Sequence, residues 1–168
     1  MTIINSIREV ASLPGQGISN AWQPVLGYNY GAGRNDRVIQ GIKFVTFSAL
    51  SMMLILWFAI TFFPELFIKI FSHNPEIVKD GVNALRLYFF GFFMMAFQMV
   101  GQAVAVGLGK SRQAIFFSVF RKVIIVVPLT LILPIYIGIN GVFIAEAISN
   151  FIGGGACYIT MWLTIVKK

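Results

Sequence analysis

The residues of this chain that could do chemistry are a few amides and one carboxylate inside long apolar segments. Gln98 and Gln102 are four residues apart, so a helix places them on one face. Two amides in such surroundings favour either an interhelical hydrogen bond or a polar stripe on a ligand cavity. Glu146 stands at the start of the last apolar segment. A carboxylate is expensive to bury there, which makes Glu146 a candidate for binding an ion or a ligand.

No set of residues typical of an enzyme accompanies them. The apolar segments hold no Ser/His/Asp set, no HExxH and no paired carboxylates, so we expect no enzymatic activity, no catalytic residue, no metal site and no cofactor. The segment 107–111 ends in Gly-Lys-Ser, but a phosphate-binding loop needs glycine where Val104 stands. His73 is more typical of a solvated loop than of a metal or proton site. Cys157 is alone, which excludes an intramolecular disulfide.

The composition is that of a membrane protein. The 168 residues are 58% hydrophobic and only 11% charged, whereas a soluble domain carries about 25% charged residues. The charges are clustered and leave five uncharged windows, each long enough to cross the hydrocarbon core, which takes roughly 20 apolar residues. The sequence therefore predicts an all-α membrane protein with about five transmembrane helices. The predicted spans are about 3–26, 38–71, 76–108, 114–137 and 142–166.

The placement of the basic residues predicts the orientation. The net charge is +7, but no basic stripe lies on a soluble face, so we expect no nucleic-acid partner. Lys and Arg collect on the cytoplasmic side of membrane proteins. One set of alternate connections is the more basic; its members are Arg34, Arg37, Lys43, Lys110, Arg112, Arg121, Lys122, Lys167 and Lys168. We therefore expect a multi-pass protein of the plasma membrane, in contact with lipid, with its C-terminus in the cytoplasm.

Three of the predicted spans carry features that bear on a site. Pro14 is expected to interrupt the first span, whose polar residues Gln16, Ser19, Asn20 and Gln23 either bond to neighbouring helices or line a cavity. In the fourth span, Pro128 and Pro134 are expected to cause bends. Gly153-Gly154-Gly155 in the last span lets another helix approach closely.

The charged residues near span ends have two interpretations. Arg121 and Lys122 are expected to extend to the cytoplasmic interface. Glu146 either acts in coupling or ligand binding, or lies near the outer interface, paired with Arg86 or Lys79.

The stretch 23–37, read as QPVLGYNYGAGRNDR, resembles the signature at the end of the eighth membrane helix of multidrug and toxic compound extrusion (MATE) transporters. The resemblance continues in order along nearly the whole chain. Its further parts are Pro64-Glu65, Asn74-Pro75-Glu76, Gly109-Lys110, Pro128 with Pro134, and Gly141-Val142. It implies helices eight to twelve of a twelve-helix antiporter, which form most of the C-terminal lobe.

The same resemblance implies a function. It suggests a fragment of a secondary active antiporter that exports small organic, often cationic, compounds in exchange for H⁺ or Na⁺. The candidates to line its substrate cavity are Gln23, Tyr28, Asn29, Gln98 and Gln102, and Glu146 is the candidate for ion coupling. The segment 76–108, equivalent to the tenth helix, has no mid-membrane acid, and helices one to seven have no counterpart. A separate N-terminal lobe is therefore an expected partner.

Two alternatives remain open. A relative that flips lipid-linked glycans would line its cavity with cations; Arg86 is the only plausible one in the sequence, which favours the drug exporter. The other alternative is an inert or interaction-only membrane fragment. A gene for the seven missing helices immediately upstream would argue against that alternative.

Overall fold

The computed structural model describes residues 2–71, 74–138 and 140–165, and these are helical with short turns between the helices. The described ranges contain no strand, and the predicted all-α class is confirmed. The helices are α1 Thr2–Ala21, α2 Gln23–Gly31, α3 Asn35–Phe62, α4 Pro64–Lys69, α5 Pro75–Phe89, α6 Met95–Gly107, α7 Ser111–Val119, α8 Val127–Ile137 and α9 Asn140–Ile165. A 3₁₀ turn, Phe92–Met94, precedes α6, and a π-helical segment, Phe120–Val126, joins α7 to α8.

Four helical stretches of the described ranges are long and apolar enough to cross a membrane: Asn35–Phe62, Gly81–Gly107, Ser111–Ile137 and Gly141–Thr164. The second combines the end of α5, the 3₁₀ turn and α6, and the third combines α7, the π segment and α8. The four stretches correspond to the second to fifth predicted spans. The first predicted span forms α1 and α2, which are less apolar because they contain several polar residues, and those of α1 lie largely on one face. That face becomes part of the candidate site.

The helix breaks differ in part from those expected. α1 continues through Pro14, and the chain breaks instead at Trp22, just before Pro24. A proline deletes one backbone hydrogen bond but does not end α1 here, and the next residue, Gly15, packs directly against the Met53 side chain of α3. The second span ends at Phe63, and the residues after it form the separate short helix α4.

The core lies where α1, α3, α5, α6 and α9 meet. Ile42, Met53, Phe89, Phe92 and Val100 are among its fully buried side chains. In contrast, α8 has no buried residue. Large apolar side chains on α3 and α8 are exposed, among them Phe47, Phe58, Leu131, Ile135 and Tyr136. An outward apolar surface of this kind matches a lipid environment, in which side chains need no water.

The predicted turn 72–76 is described in part. Pro75 is the first residue of α5, a position that suits proline because its missing N–H has no helical partner there. Ser72 and His73 lie outside the described residues, as do the C-terminal Lys167 and Lys168.

Candidate functional site

The centre of the candidate site is Arg121, in the π-helical segment. At about 1.5 Å per residue from Ser111, Arg121 lies about 15 Å along the helical stretch Ser111–Ile137. The wider π turn changes which face each residue occupies, and such segments are frequent at functional sites. Arg121 is 7% exposed. The prediction that it extends to the cytoplasmic interface is therefore wrong; its neighbour Lys122 is exposed.

Four hydrogen bonds hold the Arg121 guanidinium. Nε donates to Ser149 Oγ at 3.0 Å, and Nη1 donates to Gln98 Oε1 at 2.6 Å. Nη2 donates to Glu146 Oε1 at 2.7 Å and to Asn150 Oδ1 at 2.6 Å. Three of these acceptors come from one face of α9, since their spacing is that of one helical turn. Arg121 is thus fixed as a positive charge between α6 and α9.

Two glycines of α9 make the close packing around Arg121 possible. A Cβ atom at Gly153 would lie 2.9 Å from both Cγ and Cδ of Arg121, and one at Gly154 would lie 2.5 Å from the Met94 carbonyl oxygen. A Cβ at Gly155 would meet nothing within 4 Å. The close approach expected of this glycine run therefore occurs at two of its three positions.

Glu146 is shared between two arginines. Besides Arg121, it accepts a hydrogen bond from Nη1 of Arg8 in α1, at 3.3 Å. The expected pairing with Arg86 or Lys79 is wrong, since both of those side chains are exposed and make no ion pair with Glu146 in the described structure. The reason is spatial: the face of α9 that carries Glu146 packs toward α1 and the π segment.

Arg8 is less completely engaged than Arg121. Its Cζ lies 6.0 Å from the centre of the Tyr88 ring, and the Tyr88 hydroxyl donates to Asn5 Oδ1 at 3.0 Å. Its Nε is buried and has no hydrogen-bond partner among the residues that the structure describes. Since a buried donor without an acceptor is unfavourable, Arg8 retains capacity to bind another group.

A cavity of about 480 Å³ opens beside this network. Its walls are the polar face of α1, the first residue of α2, the facing side of α6, and the end of α7 with the π segment. Ser19 Oγ, on that face, is buried and has no partner among the described residues. The lining residues are Arg8, Gln16, Ser19, Asn20, Gln23, Met95, Gln98, Met99, Gln102, Ala103, Val106, Ser118, Arg121 and Lys122.

Three of the five predicted cavity residues line this cavity. Gln98 accepts its bond from Arg121, and Gln102 Nε2 donates to Ser118 Oγ at 2.7 Å. Gln23 Nε2 donates to Asn20 Oδ1 at 2.8 Å. The amides therefore take part in hydrogen bonds and face the cavity at the same time, so the two interpretations open for them are compatible.

Tyr28 and Asn29 do not reach the cavity. Tyr28 is 73% exposed, and Asn29 Nδ2 donates to the Val25 carbonyl oxygen within its own helix. The reason is the position of Gly27, where α2 touches α6: a Cβ there would lie 2.6 Å from the Gly107 carbonyl oxygen. The next two residues are rotated away from that contact by the helix period.

Sequence reasoning missed the cationic members of the site, Arg8, Arg121 and Lys122. One signal was available: Glu146, Ser149 and Asn150 are spaced to form a polar stripe on the last helix, and such a stripe requires a polar partner from another helix. No group of three or more potential metal-ligating side chains (His, Cys, Asp or Glu) occurs in the described ranges.

Solved structures of MATE transporters share this fold. MATE in the bent conformation matches with a TM-score of 0.93 over 99% of this chain at 21% identity. The MATE multidrug transporter DinF-BH, solved as a complex, matches with a TM-score of 0.85 over 93% of the chain at 29% identity. A MOP superfamily transporter from Pyrococcus furiosus, described as having a binding pocket of reverse polarity, matches with a TM-score of 0.91 over 99% at 21% identity.

The match concerns only part of those transporters. The chain covers 37%, 35% and 38% of their lengths, respectively. A search of curated proteins gave no match. The MatE family model matches residues 1–132, which is most of the chain. This chain is a multi-pass membrane protein with a MATE multidrug transporter fold, and it belongs to the MatE family.

Proposed function

We propose that this chain supplies most of one lobe of a secondary active antiporter that exports small organic compounds in exchange for H⁺ or Na⁺. The observation that carries the proposal is the cavity of about 480 Å³, whose walls are rich in amides although the surrounding helices are apolar. Membrane helices do not maintain such a surface against lipid, because lipid cannot satisfy an amide. A solute-binding surface is the simplest use for it.

The lining suits solutes of varied shape. Met95 and Met99 contribute flexible, polarisable side chains, which adapt to different apolar bodies. Gln23 and Gln102 each have both a donor and an acceptor, so they can bind many polar groups. Export then requires that this lobe move relative to a second one, so that the cavity opens alternately to each side.

Glu146 is the group that we propose couples the cycle to an ion. Its carboxylate attracts Arg8 of α1 and Arg121 of the π segment, and the Arg8 guanidinium also lies 6.0 Å from the centre of the Tyr88 ring. A proton or Na⁺ bound at Glu146 would weaken both attractions. α1 would then be free to move relative to α9, which changes the width of the cavity.

An efflux assay tests the proposal. The chain is produced together with a seven-helix front portion of a MATE transporter in cells without drug pumps, and efflux of one cationic and one anionic dye is measured. We expect efflux of at least one dye, lost when the ion gradients are collapsed and lost in Glu146→Gln. Glu65→Gln, at an exposed acid in α4, is the matched control and should leave efflux unchanged. Gradient-independent efflux, or none with either dye, would contradict the proposal.

A second candidate function is flipping of lipid-linked glycans. It is favoured by one specific observation: Arg8, Arg121 and Lys122 line the cavity. The cation that was plausible from sequence, Arg86, lines a different groove, beside α4 and α5. The absence of other cavity cations therefore no longer argues for the drug exporter. Transfer of a fluorescent lipid-linked phosphate across vesicles, without dye efflux, would favour this second function.

A further inference from the structure

The charges that face the cavity are unbalanced. Arg8, Arg121 and Lys122 line it, and no acidic side chain of the described ranges does. The neighbouring Glu146 is shared between two of these cations, so it cannot neutralise them all. A cavity between low-dielectric helices focuses the field of such an excess of positive charge, so it acts more strongly than the same charges on an open surface. The excess favours an anion and opposes a cation.

Two side-chain donors of residues that line the cavity have no acceptor in the described ranges. They are Arg8 Nε and Ser19 Oγ, both buried, and both residues belong to α1. Ser19 is 1% exposed. They lie on one face of the helix, about 16 Å apart along its axis. This face of α1 is therefore not fully satisfied by protein groups of the described ranges.

The two arginines that share Glu146 differ in how many of their donors are already bonded. Arg121 is held by four hydrogen bonds to protein groups, whereas Arg8 makes one. Arg121 therefore acts as a fixed charge that positions Glu146 and Gln98. Arg8 is the arginine that can turn a free N–H toward a ligand.

We propose that the cavity binds an amphipathic organic anion, with its carboxylate, phosphate or sulfonate at Arg8 and its apolar body against Met95 and Met99 of α6. The proposal rests on the proposed function and adds the charge of the substrate. Two sources share this chemistry: a free organic anion and a lipid-linked phosphate. The experiment separates the two sources.

Direct binding to the chain in nanodiscs of zwitterionic lipid provides the test, with fluorescence polarisation as the readout. Fluorescein and rhodamine 123 share a xanthene ring system and carry opposite charge. We expect fluorescein to bind at least tenfold more tightly than rhodamine 123. Arg8→Gln should weaken fluorescein binding about tenfold, and Arg8→Lys should retain most of it. Arg112→Gln, which removes an exposed cation of α7 outside the cavity, is the matched control and should change nothing.

Two results would overturn the proposal: tighter binding of rhodamine 123, or fluorescein binding that is indifferent to Arg8. The comparison of the two dyes needs no variant, so it stands even if Arg8→Gln does not fold. Dioleoyl phosphatidate added to the nanodiscs separates the sources. If it displaces fluorescein, a lipid-linked phosphate is the occupant; if fluorescein stays bound, a free organic anion is.

Binding does not require transport, so the two proposals can fail separately. Fluorescein bound through Arg8 without any efflux would contradict only the antiporter function. Gradient-dependent efflux of a cationic dye that does not depend on Arg8 would contradict only the anion specificity.

Discussion

Arg121 Nη2 lies 2.7 Å from Glu146 Oε1, and both side chains are largely withdrawn from the surface, at 8% and 15% exposure. A buried pair of this kind gains little over an apolar pair of the same shape, but breaking it leaves an uncompensated charge. The pair also fixes the register of the π segment against α9. The π segment can meet α9 only where the Glu146, Ser149 and Asn150 acceptors are in reach of one guanidinium.

The two arginines that share Glu146 should differ in their effect on stability. Arg121→Gln removes four hydrogen bonds in a buried position, and we expect it to lower the free energy of unfolding by roughly 3–5 kcal/mol. Arg8→Gln should have a much smaller effect, because Glu146 keeps Arg121 as its partner. Thermal unfolding in detergent, followed by circular dichroism, measures both. Equal losses, or a larger loss for Arg8→Gln, would contradict the assignment of Arg121 as the fixed charge.

Gly153 should be required for the position of Arg121. Gly153→Ala places a Cβ 2.9 Å from Cγ and Cδ of Arg121, so the guanidinium must shift. We expect a destabilisation of about 1–3 kcal/mol, typical of overpacking. Gly155→Ala is the matched control two residues away on the same helix, where a Cβ meets nothing within 4 Å. It should be neutral or stabilising by up to about 1 kcal/mol, since alanine favours the helix. Thermal unfolding in detergent measures both variants. Similar unfolding midpoints for Gly153→Ala and Gly155→Ala would show that Arg121 tolerates displacement.

The contact between α2 and α6 should be equally sensitive to a methyl group. A Cβ at Gly27 would meet the Gly107 carbonyl oxygen at 2.6 Å, and one at Gly107 would meet the Gln23 carbonyl oxygen at 2.8 Å. These neighbours are backbone atoms and cannot rotate away, so Gly27→Ala and Gly107→Ala should each lower the unfolding midpoint. Gly17→Ala, with nothing within 4 Å, serves as the control. A control as destabilised as the test variants would remove the packing explanation.

Much of the fold could be predicted because its main determinant is local. Uncharged windows long enough for the hydrocarbon core mark the spans, and their order carries the resemblance to MATE transporters. Pro64 marks the start of a separate short helix after the second span. These features depend on residues adjacent in sequence, where composition and helix geometry suffice.

The centre of the site could not be predicted in the same way. Sequence distance places Arg121 near a cytoplasmic end, and that reasoning assumes an ordinary helix whose side chain reaches outward. A π-helical segment has no evident signal in Phe120–Val126, yet it changes the face that Arg121 occupies. Arg8 and Glu146 are 138 residues apart, and no local pattern links them. The contact of Gly27 with Gly107, which directs Tyr28 away from the cavity, is also a tertiary contact.

The orientation in the membrane remains a prediction, and cysteine labelling checks it. The loop 34–43 should be cytoplasmic and the turn at Asn74 external, because positive charge resists translocation. A single cysteine at Asn35 or at Asn74 is treated with an impermeant reagent on intact cells. The native Cys157 is buried and should contribute little background. We expect labelling at Asn74 alone; the opposite pattern would reverse the topology.

The last prediction is that this chain, produced alone, does not export drugs. Alternating access needs one bundle to move against another around a central site, and the chain covers 35–38% of the length of the transporters described above. Its cavity has walls on α1, the start of α2, α6 and the α7–π segment, and the described ranges supply no second lobe to close over a solute. Efflux of a cationic and an anionic dye from pump-deficient cells should therefore equal that of cells carrying an empty vector. Co-production with the seven-helix front portion should raise it. Gradient-dependent efflux by the chain alone, lost in Glu146→Gln, would show that it assembles a complete pathway from its own copies.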